Sequence, residues 1–161
     1  MINIEVQPPT QTQAGTVMYP PVVVSSDNDA AYDFVQVTLL DVYGRVLEDQ
    51  LFGTLSTSPQ GLNDRSARRS TSAPLAYSVF PDLVLSCFPG YYYTLRVNAI
   101  KMDYSSPDGP VAVIVASATT REIYVHEQSV ATEIPSNEER TLLSTLRHHR
   151  DFGVPRAPNQ R

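Results

Sequence analysis

Between Ser78 and Val97 the chain reads V-F-P-D-L (Val79 to Leu83), then a turn at Pro89-Gly90, then Y-Y-Y-T-L-R-V (Tyr91 to Val97). This order leaves little room for anything but β structure. Tyr91, Tyr93 and their neighbours supply the aromatic and β-branched side chains that suit a pleated surface, and Phe88-Pro89-Gly90 is the turn that feeds them. Pro81 has no amide to donate, so Val79 to Leu85 suits an edge strand or a strand that begins after the proline. Together the two segments predict a hairpin-like pair.

The rest of the chain has the same texture. Ile2 to Val6 alternates apolar and polar residues before Pro8-Pro9 and reads as a short strand. Gln11 to Thr16 is polar and without periodicity. After Pro20-Pro21, the run Val22-Val23-Val24 predicts a strand, and Asp27-Asn28-Asp29 a loop. Phe34 to Leu40 has strand composition, and Asp41-Val42-Tyr43-Gly44 offers a turn into Val46 to Leu51, predicting a β-hairpin. Residues 57–74 are rich in serine, threonine, glycine and arginine and are expected to form a long mobile loop interrupting the sandwich. Val97 to Met102 completes the tyrosine strand. Pro107-Asp108-Gly109 makes a turn, and Val111 to Ala118 and Ile123 to His126 are further strands.

One helix is expected, near the carboxyl end. Ser136 and Glu139 have capping-box spacing, ahead of apolar Leu142, Leu143 and Leu146. Glu138 and Glu139 at the start and Arg147 and Arg150 near the finish complement the helix dipole, and Gly153 and Pro155 stop it. Many short strands and one terminal helix predict a mainly β fold, an antiparallel immunoglobulin-like or Rel-like β-sandwich with one C-terminal α-helix. The antibody-type variant is not expected, because there is no tryptophan and no cysteine pair. Neither a repeat nor a sustained heptad is visible.

The 161 residues, 42% of them hydrophobic, suffice for one core, so residues 1–153 are expected to form one domain and 154–161 a disordered tail. A lone cysteine, Cys87, excludes an internal disulfide framework and points to a reducing compartment. No apolar run is long enough to span a bilayer, and Met1 to Glu5 lacks the basic and apolar regions of a signal peptide, so a chain free of the membrane and unsecreted is expected. The formal net charge of −5 opposes sequence-independent affinity for DNA, which rests on lysine and arginine displacing counterions. The positive charge is nevertheless uneven. Arg65, Arg68 and Arg69 cluster, and Arg140, Arg147, Arg150, Arg156 and Arg161 crowd the end.

The F-P-D-L segment, the glycine turn and the aromatic strand resemble the most characteristic block of the velvet domain, a fungal regulatory module. Other pieces follow in the family's order. Glu5-Val6-Gln7-Pro8-Pro9 is similar to its Q-Q-P opening, and Tyr19-Pro20-Pro21-Val22-Val23 to its P-P-P strand entry. Leu51-Phe52-Gly53 resembles its L-x-G before a long loop, Ser117 to Val125 its S-x-P-F-x-V-Y strand, and Ser136 to Leu146 its terminal helix. The resemblance implies a Rel-like sandwich in a nuclear and cytoplasmic transcription regulator of development, sporulation and secondary metabolism. Such a regulator dimerises with itself or with other velvet proteins and binds double-stranded DNA. It also implies structural roles for Phe80, Pro81, Asp82, Leu83, Gly90 and Arg96.

One departure matters. Where the family carries an A-R-x-C-G block and a basic stretch, this chain has Thr10 to Met18, without arginine, lysine or cysteine. Phosphate contact would then fall to Arg65, Arg68 and Arg69, with Arg147 and Arg150 and with Arg96 beside them, through forked hydrogen bonds. The alternative is a solvated arginine loop on a protein-interaction subunit that has lost direct DNA binding and acts through heterodimerisation. Ser70, Thr71 and Ser72 beside Arg69 also suit a phosphorylation switch. His148 and His149 are adjacent and share no ligand face, and His126 has no partner at ligand spacing, so no metal is expected. Cys87 has no neighbouring base. Without a phosphate loop, a nucleophile elbow or zinc spacing, neither an enzyme, a cofactor nor a small-molecule substrate is expected.

Overall fold

The computed structural model describes residues 1–27, 32–62 and 75–158. Twelve strands and one α-helix lie along the described residues. The strands are β1 (Ile2–Val6), β2 (Gln11–Gln13), β3 (Val22–Asp27), β4 (Phe34–Leu40), β5 (Leu51–Phe52), β6 (Ser56–Thr57), β7 (Gln60–Gly61), β8 (Leu75–Phe80), β9 (Val84–Leu85), β10 (Tyr92–Asp103), β11 (Val111–Thr119) and β12 (Ile123–His126). The helix α1 (Asn137–Arg147) is followed by a 3₁₀ turn at Arg150–Phe152. The first sheet has the order β1-β3-β8-β7 and the second β2-β12-β10-β4-β6, with β11 also on β10; β5 and β9 form a separate pair.

Alternation decides how these layers meet. In β4, Val35, Val37 and Leu39 point one way, and in β10 so do Tyr93, Leu95, Val97 and Ala99. They meet Val22, Val24 and Phe80 from the first sheet in one core. The intervening Val23 and Val79 point outward and, with Val6, receive Leu143 and Leu146 of α1 and Phe152. The layers therefore run helix, four-stranded sheet, core, second sheet, a mainly β, sandwich-like arrangement. Burying each of these leucines contributes about 1.5–3 kcal/mol.

Ser136 caps α1 as expected. Its hydroxyl accepts from Glu139 N at 3.2 Å, and Glu139 Oε1 accepts from Ser136 N at 3.0 Å. Glu139 Oε2 also accepts from Gln7 N at 2.9 Å and so ties the helix to the end of β1. The helix stops before the expected Gly153. His149 is extended (φ −103°, ψ 106°), and Gly153, at φ 62°, closes the 3₁₀ turn instead.

The β1, β4 and β12 segments occur with the bounds read from the sequence. Three pairings differ from the sequence reading. The expected pairing of the F-P-D-L and tyrosine segments is absent: β8 pairs with β3 and β7 in the first sheet, and β10 with β4, β11 and β12 in the second. Pro81 ends β8, and the chain crosses to β9, which pairs with β5. The expected hairpin after β4 closes only at its turn. Leu40 bridges Val46 and Leu47 N donates to Leu39 O at 2.9 Å, then the strand leaves for β9. The sheets are also not wholly antiparallel. The polar Gln11–Gln13 forms β2 and runs parallel to β12, its Thr12 buried and its glutamines turned outward, too short a segment for periodicity to reveal. At the opening of the expected long loop, Ser56–Thr57 pairs with β4 and Gln60–Gly61 with β8; its remaining residues 63–74 lie outside the described residues.

Candidate functional site

The F-P-D-L segment is a clamp. Phe80 and Leu83 are buried in the core, and Pro81 and Asp82 form the turn between β8 and β9. The Asp82 carboxylate accepts from Thr54 N at 2.8 Å and Thr54 Oγ1 at 3.1 Å, which holds the Leu51-Phe52-Gly53-Thr54 segment against this turn. The approach is possible because residue 53 is glycine. Its φ is 115°, and a Cβ there would sit 2.4 Å from the Asp82 carbonyl oxygen. Gly90, at φ 89°, turns the chain into β10 and donates its amide to Val125 O at 2.7 Å.

Arg96 and the helix-end arginines lie on opposite faces of the molecule. Leu95 and Val97 face the core, so Arg96 projects from the outer side of the second sheet, half-buried, and among the described residues neither its Nε nor the buried Asn98 Oδ1 on the same face has a hydrogen-bond partner. Arg147 and Arg150 belong to the helical layer beyond the first sheet. Arg147 Nη2 donates to Pro155 O at 3.1 Å, and Val154 packs on the helix cluster, so the first residues of the expected tail lie along α1. Arg140 and Arg147, two turns apart on α1, line one groove of about 390 Å³ with Tyr19 and Pro158. Arg65, Arg68 and Arg69, with the Ser70, Thr71 and Ser72 switch, lie outside the described residues, as does Arg161.

Cys87 is buried, and that burial raises its thiol pKa, an environment opposed to a nucleophile. Tyr93 is buried beside it, and its hydroxyl donates to Phe88 O at 2.9 Å; burial, with the neighbouring Cys87, raises the phenol pKa to about 12. His126 Nε2 lies 2.7 Å from Gln11 Oε1 and its ring meets Tyr124 edge-on. No cluster of metal-ligating side chains occurs among the described residues. No helix of the described residues is long and apolar enough to cross a membrane.

Two surfaces stand out instead. The first is β11. Its sequence V-A-V-I-V-A has the look of a buried strand, yet Val111, Val113, Ile114 and Val115 are between 41% and 53% exposed. One edge pairs with β10; the other has no ladder partner among the described residues. Ala116 and Ala118 reach the core, and Val115 forms a bulge where the register shifts between Ala99 and Ile100. No charge or proline interrupts the strand, although edge strands are commonly protected by such residues.

The second surface is an aromatic groove of about 420 Å³ between the β4–β5 connection and the start of β10. Tyr43 and Phe88 are each 78% exposed, Tyr91 60% and Tyr92 49%. The sequence reading assigned these residues to a turn and a strand, and only tertiary structure brings the two segments together. The concentration of tyrosine beside the two turns, at Tyr43 and at Tyr91–Tyr93, was the available signal.

No protein-family model matches the chain, and no curated protein matches it. Its fold and surfaces define a class, a mainly β, sandwich-like protein with an apolar exposed strand whose outer edge has no ladder partner among the described residues, and an aromatic groove.

Proposed function

We propose that this chain is a protein-interaction subunit, a Rel-like sandwich of velvet type that regulates transcription through pairing with a second sandwich rather than through its own DNA contacts. The observation that carries this reading is β11, a nine-residue, uncharged strand with an apolar exposed surface and one edge that has no ladder partner among the described residues. Two such strands related by a two-fold axis pair antiparallel along the exposed Val111–Val115 part of this edge, ahead of the residues that β1 approaches, and there each satisfies the other's amides and carbonyls. Like charges are absent, so nothing electrostatic along the strand opposes a second copy. Other velvet-type proteins are the alternative partners of the same edge. The reading assigns the chain no catalytic step and places its work in the nucleus and cytoplasm, as the family resemblance implies.

Sedimentation equilibrium tests it. The expected result is a dimer at micromolar concentration that becomes monomeric in Val113→Lys/Ile114→Lys, because the pairing brings like charges together in an apolar interface. Both side chains are exposed, so the fold and thermal midpoint should hold. A monomer at 100 µM, or about that concentration, in both the parent protein and mixtures with velvet partners would overturn the reading. So would a dimer indifferent to the two lysines.

A second reading, direct contact with double-stranded DNA through Arg65, Arg68, Arg69, Arg147 and Arg150, is favoured by Arg140 and Arg147 lining one groove on α1. It requires salt-sensitive binding that Arg140→Ala/Arg147→Ala weakens by anisotropy. No binding at low salt removes it.

A further inference from the structure

We propose that the aromatic groove formed by Tyr43, Phe88, Tyr91 and Tyr92 receives a proline-rich segment of a partner protein, in polyproline II conformation and with a basic flank. This does not depend on the β11 reading, since a monomer can use the groove.

The walls are held before any ligand arrives. Asp41 Oδ1 accepts from Tyr43 N and Arg45 N, both at 2.9 Å, which fixes the turn that carries Tyr43. The buried Tyr93 donates to the Phe88 carbonyl, fixing the turn opposite. Tyr92 rests edge-on against Tyr124, with ring centroids 4.9 Å apart. A rigid aromatic wall costs little further conformational entropy on binding.

The chemistry of the walls selects the occupant. The hydroxyls of Tyr43, Tyr91 and Tyr92 make no hydrogen bond among the described residues, so each ring offers a flat apolar face and a free donor. A polyproline II helix has no internal hydrogen bonds, leaving its carbonyls to accept while its proline rings pack on aromatic faces. Ser86 N at this border already donates to Gln50 O, so that donor is not open to a partner strand. A helical partner would find donors that its internally bonded backbone cannot use.

Charge sets the flank. Leu47 and Gln50 line the groove, and the intervening Glu48 and Asp49 are exposed and in no ion pair among the described residues. Arg45 on the same connection pairs with Asp41 at 3.5 Å and stacks on Tyr43 at 5.1 Å from its centroid. The connection from Asp41 to Gln50 therefore holds three carboxylates against one guanidinium, a rim of net charge −2 that complements arginine or lysine beside the prolines.

The test is anisotropy of the whole protein with a fluorescein-labelled peptide RAPPLPPR, against the same peptide with every proline replaced by alanine and a third with both arginines replaced by glutamate. The expected result is saturable binding of the first, at least tenfold weaker binding of the alanine peptide, and at least threefold weaker binding of the glutamate peptide. Tyr43→Ala and Tyr92→Ala should each weaken the first peptide about tenfold, and Glu48→Lys/Asp49→Lys should invert the preference for the arginine flank. Tyr43 is an exposed side chain, so its variant keeps the parent thermal midpoint and separates lost binding from lost fold. Absent binding at 1 mM peptide, or about that concentration, overturns the proposal. So does equal affinity for the alanine peptide, or full affinity in Tyr43→Ala and Tyr92→Ala.

Discussion

Replacing Gly53 with alanine should be among the most damaging single-methyl changes in this protein. Two effects add at that position. The backbone sits at φ 115°, a conformation costing a residue with a Cβ roughly 1–3 kcal/mol, and the added carbon would lie 2.4 Å from the Asp82 carbonyl oxygen. That neighbour is backbone, held in the turn that ends β8, so it cannot rotate away as a side chain would. Relief requires the two segments to separate, which lengthens the bonds from Thr54 to the Asp82 carboxylate, each a charge-assisted bond contributing about 1.5 kcal/mol at the low end of its range. The sum is about 4–6 kcal/mol, or a fall of about 8–24 °C in thermal midpoint for a chain of this size. Gly109→Ala is the matched control. Its φ is 109°, nearly the same backbone strain, but a Cβ there meets nothing within 4 Å. Urea denaturation of the two variants isolates the contact. Gly53→Ala should be less stable than Gly109→Ala by about 2 kcal/mol or more, with parent-like m-values. Equal loss in the two variants would refute the clamp and leave only the dihedral cost.

Further outcomes follow from the same contacts. Burial raises the phenol pKa of Tyr93 to about 12 and, with the nearby Glu5 carboxylate, raises that of Tyr77. A raised phenol pKa favours the neutral form in the folded state. Its contribution is therefore fully present below pH 10, or about the unfolded value, and is lost as pH climbs to about 12; Tyr93→Phe should flatten this loss in denaturation followed by phenolate absorbance. Ser136→Ala should cost about 1 kcal/mol by removing one arm of the capping box, and Glu139→Ala more, because it also releases Gln7 N; both are read from chemical denaturation. Leu146→Ala should cost about 2–5 kcal/mol and expose Val23 and Val79, with faster amide exchange in α1 than in β10.

Local chemistry determined the elements. The bounds of β1, β4 and β12, the capped helix and the turn residues were legible because each depends on side-chain alternation or on neighbours within a few positions. Three-residue β2 was not, since a segment so short carries no period, and neither was the parallel pairing that holds it. What only the tertiary structure decided was non-local. It separated the F-P-D-L strand from the tyrosine strand into different sheets, placed Arg96 and Arg147 on opposite faces, and brought Tyr43 beside Tyr91 and Tyr92. It also left Val111 to Val115 exposed, although a run of that composition reads as interior. Hydrophobicity records which side chains favour burial. Which edge finds a partner is decided when distant strands compete for the same backbone donors and acceptors, and in this chain β10 offers only two edges, to β4 on one side and to β11 and β12 on the other.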